Sequence, residues 1–372
     1  MRIGFDGKRA TNNLTGLGNY SRWLIHCMAT QYINNQYFIY TPKTKKKLLT
    51  QSVFALKNIR LKLPSVSKFL WRSLGIKKQL QQDEVTLYHG LSQEIPFGIQ
   101  KTNIKSIVTI HDLIYLKRPS EYSFINRNIY RFKSKYACKN ADKIIAISET
   151  TKSDIVELYR INPDKIEVIY QSCDELFKIP ASEQQKQNIV NKYKLPKEFL
   201  LNVGRIVPHK NQLLIIKALQ KLNKKTPLVI VGKKSKYTQI LLKTIQHLGL
   251  EESVILLNDV PNADLPIIYQ CATIFVFPSF YEGFGIPIIE ALYSGTPVIA
   301  ATGSCLEEAG GPNSVYVSPT DHAELAKKID TLLENENLRK EMAVKGLAYV
   351  QKFNNDVLTK QLMDCYQKTL SQ

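Results

Sequence analysis

Ser279-Phe-Tyr-Glu-Gly-Phe-Gly-Ile-Pro-Ile-Ile-Glu-Ala-Leu-Tyr-Ser-Gly-Thr-Pro-Val-Ile299 is the stretch that decides the fold. It follows an apolar run, Ile274–Phe277, that reads as a buried strand. Pro278 closes the run, a two-glycine loop follows, and Pro287 suits the first turn of a helix. Gly283 and Gly285 let backbone N–H groups approach a ligand closely. The helix start adds positive potential, which favours a phosphate or an electron-rich sugar edge. Glu282 and Glu290 flank the loop, and each carboxylate can accept hydrogen bonds from a pair of neighbouring hydroxyls.

Upstream lies Asn202-Val-Gly-Arg-Ile-Val-Pro-His-Lys-Asn211, after the apolar strand Phe199–Val203 and before an amphipathic helix. Arg205 and Lys210 share this strand-to-helix loop, where two cations can neutralise a diphosphate and stabilise it as a leaving group. Around these motifs, short apolar runs alternate with amphipathic stretches, the signature of βαβ units on a parallel sheet. In the first half, strands fit Arg2–Phe5, Gln36–Tyr40, Leu87–His89, Ser106–Ile110, Lys143–Ile147 and Lys165–Ile169. A second series continues with Leu228–Val231, Val254–Leu257, Pro297–Ala300 and Ser314–Val317. Phe177–Lys194 is polar and Gln-rich and reads as the linker. Residues 1–180 then make the first domain, with a separate terminal helix at 356–372 packing back on it, and residues 181–355 make the second.

The Glu282–Glu290 block closely resembles the E-x7-E signature of retaining GT-B glycosyltransferases of family four, and the resemblance covers most of the chain. It implies an α/β chain of two Rossmann-like, doubly wound parallel-sheet domains facing a central cleft, with the acceptor on the first and the nucleotide-sugar donor on the second. Carried onto this sequence, Glu282 contacts the donor sugar, and backbone at Gly283, Phe284, Gly285 and Ile286 meets sugar and phosphate. Glu290 holds the ribose hydroxyls, and Gly204, Arg205 and Lys210 bind the donor phosphates. Backbone near Val260 reads the base. Gly16, in Gly16-Leu-Gly-Asn-Tyr20, resembles the family's glycine loop facing the donor phosphate, whereas Gly18 can be explained as a helix start. His111, after the strand Ser106–Ile110, matches a family histidine that hydrogen-bonds the donor sugar. A structural histidine satisfied by a carbonyl is the competing account. His89 is a weaker cleft residue, and Ser148 is explained as a helix N-cap. Two turns depart from the family: Gly232-Lys-Lys-Ser and Gln171-Ser-Cys-Asp174.

The resemblance implies a metal-independent hexosyltransferase with no cofactor beyond its nucleotide-sugar substrate. The six histidines and six scattered cysteines show no metal-ligand spacing, and the cysteines read as reduced packing residues. The His111-Asp-Leu run and the Ser148-Glu pair lean the donor towards GDP-mannose, as in bacterial mannosyltransferases of surface polysaccharides. UDP-sugars are the alternative. Net charge is +19, and residues 1–180 carry 29 Lys and Arg against 14 Asp and Glu. That asymmetry points to an anionic partner or to a solvated lysine-rich surface.

Basic amphipathic stretches at Lys43–Lys47, Ser67–Lys78 and Asn126–Lys139 suit peripheral contact with anionic membrane and a glycan or lipid-linked acceptor. Packing of each stretch on the core accounts for them equally well. No run is long and apolar enough to span a membrane and no signal-peptide pattern is seen, so a cytoplasmic location is expected, peripheral on the inner membrane face. The different-class rival, a non-catalytic nucleotide- or nucleic-acid-binding protein, has no nucleic-acid motif to support it, and no nucleic-acid partner is expected. A phosphorylase on the same fold would need a phosphate or cofactor site that the sequence does not display.

Overall fold

A computed structural model describes residues 1–45, 52–64 and 70–372 of the chain. Part of the basic stretch Lys43–Lys47 and the start of Ser67–Lys78 lie outside the described residues. The chain divides into two units, Met1–Gln171 with Phe353–Gln372, and Ser172–Lys352.

The first unit holds a seven-stranded sheet: β1 (Arg2–Asp6), β2 (Gln36–Tyr40), β3 (Ile59–Lys62), β4 (Leu87–Gly90), β5 (Lys105–Ile110), β6 (Lys143–Ala146) and β7 (Ile166–Val168). The spatial order is β3-β2-β1-β4-β5-β6-β7, and each neighbouring pair is parallel. Alternate residues enter opposite faces. Phe38, Val108 and Ile144 join one core with Trp71, while Tyr37, Ile107 and Ile145 join the other. Burial on both faces is why these strands read as continuous apolar runs rather than as alternation. β3 escaped the sequence reading because Ile59-Arg-Leu-Lys62 is an edge strand with no fully buried residue.

The terminal helix Asn355–Ser371 returns to this unit, burying Leu362, Met363 and Tyr366 beside Leu24 and Met28 of the helix Gly16–Gln31. It also closes a polar chain inside the core. Tyr366 Oη is 2.6 Å from His89 Nδ1, His89 Nε2 is 2.8 Å from Thr109 Oγ1, and that hydroxyl is 3.1 Å from Tyr20 Oη. His89 is fully buried, so it is a core residue and not the cleft residue that its strand-end position suggested.

The second unit holds β8 (Leu200–Val203), β9 (Leu228–Val231), β10 (Val254–Leu257), β11 (Ile274–Phe277), β12 (Val298–Ala301) and β13 (Val315–Val317). Their order is β10-β9-β8-β11-β12-β13, again all parallel. The segment read as a linker is instead structured. Glu183–Tyr193 is a helix opened by a reciprocal capping box between Ser182 and Gln185, and Ile189 is buried. Its polarity is that of a solvated helix face, which composition alone does not separate from a linker. Residues 172–180 belong to this unit, with Phe177 buried edge-on against Tyr269 at 5.5 Å.

Both tryptophans, Trp23 and Trp71, lie in the first unit, so their fluorescence reports its unfolding separately. Tyr366→Phe leaves the buried His89 Nδ1 without its partner and should lower the urea stability read by that fluorescence by about 1–3 kcal/mol.

Candidate functional site

In the second unit the chain leaves β8 towards β9 and β10, but leaves β11 towards β12 and β13. β8 and β11 are neighbours, so the loops at their carboxyl ends diverge and open a crevice, the usual ligand position in such sheets. The loop after β8 carries Gly204, Arg205 and Lys210, and the loop after β11 carries Glu282–Gly285. The two sequence motifs are therefore the two lips of one crevice.

The lips are stitched together. Phe280 N–H donates to the carbonyl of His209 at 2.8 Å. Asn211, left-handed at φ 58°, donates its buried amide to the carbonyls of Pro278 at 3.0 Å and Pro319 at 2.8 Å. Across this seam Lys210 Nζ donates to Glu282 Oε1 at 2.6 Å. The Lys210 ammonium also stands 4.9 Å over the Phe277 ring. Arg205, five residues earlier on the same loop, is exposed, and its guanidinium has no partner among the described residues.

The glycine loop is shaped from below. Gly285 has φ +152°, and a Cβ there would come within 3.0 Å of Ala309 Cβ. Glycine is needed for both reasons. Ile286–Tyr293 then forms the helix, with Pro287 in its first turn. The buried Cys305 thiol lies against the carbonyls of Phe284 at 2.8 Å and Glu282 at 3.2 Å. Burial pushes that thiol well above its ordinary range, so it stays a neutral donor.

Glu290 is half-buried on the first turns of this helix and accepts from Tyr269 Oη at Oε2, 2.9 Å away. Burial pushes its carboxyl up to about 7, against the opposing pull of the Tyr269 hydrogen bond. Val260 is set apart. It follows the edge strand β10, on the same end of the sheet but two strands from β8, and is half-buried.

His111 and Gly16 belong to the first unit. His111 is buried at the end of β5, where Nε2 donates to the Leu91 carbonyl at 2.9 Å and Nδ1 accepts from Gln171 Nε2 at 3.1 Å. Tyr20 meets it edge-on, with ring centroids 4.7 Å apart. Burial holds it down to about 4, so it is a neutral imidazole at physiological pH. Gly16 is exposed at the helix start, with open space where a Cβ would stand. At Gly18 a Cβ would fall 1.9 Å from the Asn13 carbonyl oxygen, so glycine there serves packing. Ser148 caps its helix through the Thr151 N–H at 3.0 Å. Among the described residues no group of three or more His, Cys, Asp or Glu is placed to hold a metal ion.

Tyr269 and Cys305, which position the site, escaped the sequence motifs, whereas Asn211 ends the Asn202–Asn211 motif and Gln171 opens one of the two departing turns, both read without the role described here.

Residues 182–347 match the family model described as glycosyl transferases group 1, and residues 16–175 match glycosyltransferase family 4. The chain belongs to the family-four glycosyltransferases. Both motif loops of the crevice fall inside the first match, and Gly16, His111 and Gln171 fall inside the second. Among curated relatives, the enzyme is 29% identical to O-antigen chain mannosyltransferase B of Escherichia coli over 75% of this chain and 74% of that one. It is 33% identical to O-antigen chain mannosyltransferase RfbU of Salmonella typhimurium over 58% of this chain and 57% of the relative. Its fold is that of sucrose-phosphate synthase from Thermosynechococcus elongatus, with a TM-score of 0.82 at 20% identity over 100% and 99% of the two chains. The fold is thus GT-B, two Rossmann-like units with parallel sheets.

The Glu290 geometry sets a pH test of the glycosyltransferase. If Glu290 holds the ribose hydroxyls, as the family resemblance implies, only its ionised carboxylate accepts from both, and nucleotide affinity should weaken as pH falls through about 7. Glu290→Gln should flatten that profile. Tyr269→Phe removes a bond to the charged form and should move the midpoint to higher pH, as read by calorimetric titration of GDP and UDP.

Proposed function

We propose that this glycosyltransferase moves mannose from GDP-mannose to a hydroxyl of a lipid-linked glycan, with retention at the anomeric carbon and without a metal, in surface-polysaccharide synthesis. The observation that carries the site assignment is the Lys210–Glu282 pair across the β8/β11 crevice. The two relatives named as O-antigen mannosyltransferases support the sugar and the pathway class.

In this reading the donor diphosphate enters between Arg205 and Lys210. Lys210 exchanges its carboxylate partner for phosphate oxygens, and Glu282 is released to accept from hydroxyls of the sugar. Glu290 holds the ribose, and backbone near Val260 meets the base. As the bond from C1 to the phosphate oxygen lengthens, charge accumulates on the diphosphate, where the two cations stabilise it. The acceptor oxygen bonds to C1 on the same face, and its proton passes to the leaving phosphate oxygen. The family resemblance also gives Gly16 a backbone contact to phosphate and His111 a ring-nitrogen contact to the sugar. For that contact, Gln171 must yield Nδ1.

The lipid-linked acceptor is supported by the helix Phe124–Asn140. Ile125, Ile129 and Phe132, at i, i+4 and i+7, are exposed, Phe132 by 63% and Ile125 by 70%. Arg131, Lys135 and Lys139 lie along the same helix. An exposed apolar stripe bordered by cations suits the interface of an anionic membrane, and no described helix is long and apolar enough to cross one. The location that follows is the cytoplasmic membrane face.

Lys210→Ala and Glu282→Ala should each lower turnover by about 10²–10³-fold while far-ultraviolet circular dichroism stays native. Wild-type turnover in both would sink the assignment. In thermal shift, GDP should stabilise the enzyme and UDP should not, and the reverse result replaces GDP-mannose by a UDP-sugar. Co-sedimentation with phosphatidylglycerol vesicles should be lost in Ile125→Glu/Phe132→Glu and at high salt. Retention of both variant and wild type on neutral phosphatidylcholine vesicles would count against the membrane reading.

A further inference from the structure

The first unit has a switch point of its own. Its sheet runs β3-β2-β1 to one side and β4-β5-β6-β7 to the other, so the loops after β1 and β4 diverge as those after β8 and β11 do. Ligands are favoured there by the same topology. The residues at this crevice are not apolar. Asp6 ends β1 and is 1% exposed. Arg72 grips it with two bonds, Nε to Oδ1 at 3.0 Å and Nη2 to Oδ2 at 2.6 Å. The remaining arm of Arg72, Nη1, donates to Glu94 Oε2 at 2.8 Å, and Lys133 Nζ donates to the same oxygen at 3.1 Å. Burial pushes Asp6 up, but the charge and bonds of Arg72 outweigh it and hold Asp6 below the usual carboxylate range.

Asp6 and Glu94 are therefore already answered by Arg72 and Lys133. Lys8 and Arg9, at the start of the short helix Lys8–Asn12 that follows β1, are left over. Both are half-buried, and neither has an ion-pair partner among the described residues. Arg9 Nε is out of contact with solvent and makes no hydrogen bond among the described residues. A buried guanidinium N–H without an acceptor is expensive and uncommon in a folded chain. The Lys8 ammonium lies within the field of Arg72, Glu94, Arg9 and Asp6, and Arg9 lies close enough to His111 to help keep it neutral. Two uncompensated cations thus sit between the β1/β4 switch point and the end of β5.

We propose that Lys8 and Arg9 form a binding site for a phosphate group of the acceptor, with Arg72 fixed behind them by Asp6 and Glu94. A phosphate monoester or a diphosphate fits better than a carboxylate, because its two charges balance both cations whereas a carboxylate balances one. Its oxygens also match the fork of Arg9, which has an idle donor. The assignment of this phosphate to the acceptor rests on the reading of the first unit as the acceptor-binding half. Neither cation holds another residue in place, so their removal should leave the fold intact.

The test is calorimetric titration of inorganic pyrophosphate into the full chain with GDP saturating, in wild type, Lys8→Met and Arg9→Met. Wild type should bind pyrophosphate with the nucleotide present, and each variant should lose about tenfold or more in affinity while its GDP affinity and melting temperature stay unchanged. Equal pyrophosphate affinity in the three proteins overturns the site. So does full displacement of pyrophosphate by GDP, which would make the anion that of the donor. Tighter binding of farnesyl diphosphate than of mannose 1-phosphate upholds the site and assigns it to a lipid diphosphate. The reverse order upholds it and assigns it to a soluble sugar phosphate. Absence of GDP binding would defeat the GDP-mannose reading alone, because the comparison of Arg9→Met with wild type still decides this one.

Discussion

The pairing of Lys210 with Glu282 is the interaction on which the site depends. Its members come from two loops that the sheet order drives apart, so their 2.6 Å separation has to be held from outside. Asn211 holds it on one side, through two carbonyls, and the Phe280–His209 bond holds it within the seam. Gly285 and Cys305 fix the other lip from beneath. Opposite charges in so confined a place are costly when separated and unpaired. Paired, they keep each other in position until a ligand supplies replacements. In the proposed reading a sugar diphosphate supplies both at once, phosphate for the ammonium and hydroxyls for the carboxylate. The exchange leaves no buried charge unanswered at its end, which is the condition for tight yet reversible donor binding.

The first unit applies the same topology with another balance of charge. At β1/β4 the acids are internal and taken up by Arg72 and Lys133, so the cations left over face the ligand. At β8/β11 one cation is held in reserve by an acid, and Arg205 is exposed beside it. Equivalent places in two similar sheets have thus been given different tasks by a handful of side chains, while the sheets themselves differ little.

The strands that flank the crevices were legible because parallel strands buried on both faces are continuous apolar runs. Leu228–Val231, Val254–Leu257 and Ile274–Phe277 have the bounds that their apolarity predicts. The failures share one cause, the absence of a burial signal. Ile59–Lys62 is an exposed edge, and Glu183–Tyr193 buries only Ile189. The motif loops were legible too, since the glycines, acids and cations sit at fixed offsets from strand ends. Tyr269, Cys305 and Gln171 act across tens of residues, on Glu290, the glycine loop and His111, and nothing local marks them. His89 misled because a strand end is also where a core hydrogen-bond network can terminate, here at Tyr366 from the end of the chain.

The lopsided charge of the chain now has a structural reading. Many acids of the first unit are committed to internal pairs: Asp6 and Glu94 to Arg72, Asp83 to Lys62, and Asp154 to Lys117. They neutralise partners and do not offset the surface. Among the cations of the first unit without an ion pair among the described residues are Arg127, Arg131, Lys135 and Lys139 on the helix Phe124–Asn140, and Lys8 and Arg9, the two places proposed to meet an anionic membrane and a phosphate of the acceptor. In the proposed reading a donor diphosphate meets Arg205 and Lys210, and Lys210 is already paired with Glu282, so the second unit can remain near neutrality. On that proposal, a strongly basic first half beside a nearly neutral second half suits an acceptor, and a surface presenting it, that carry more negative charge than the donor.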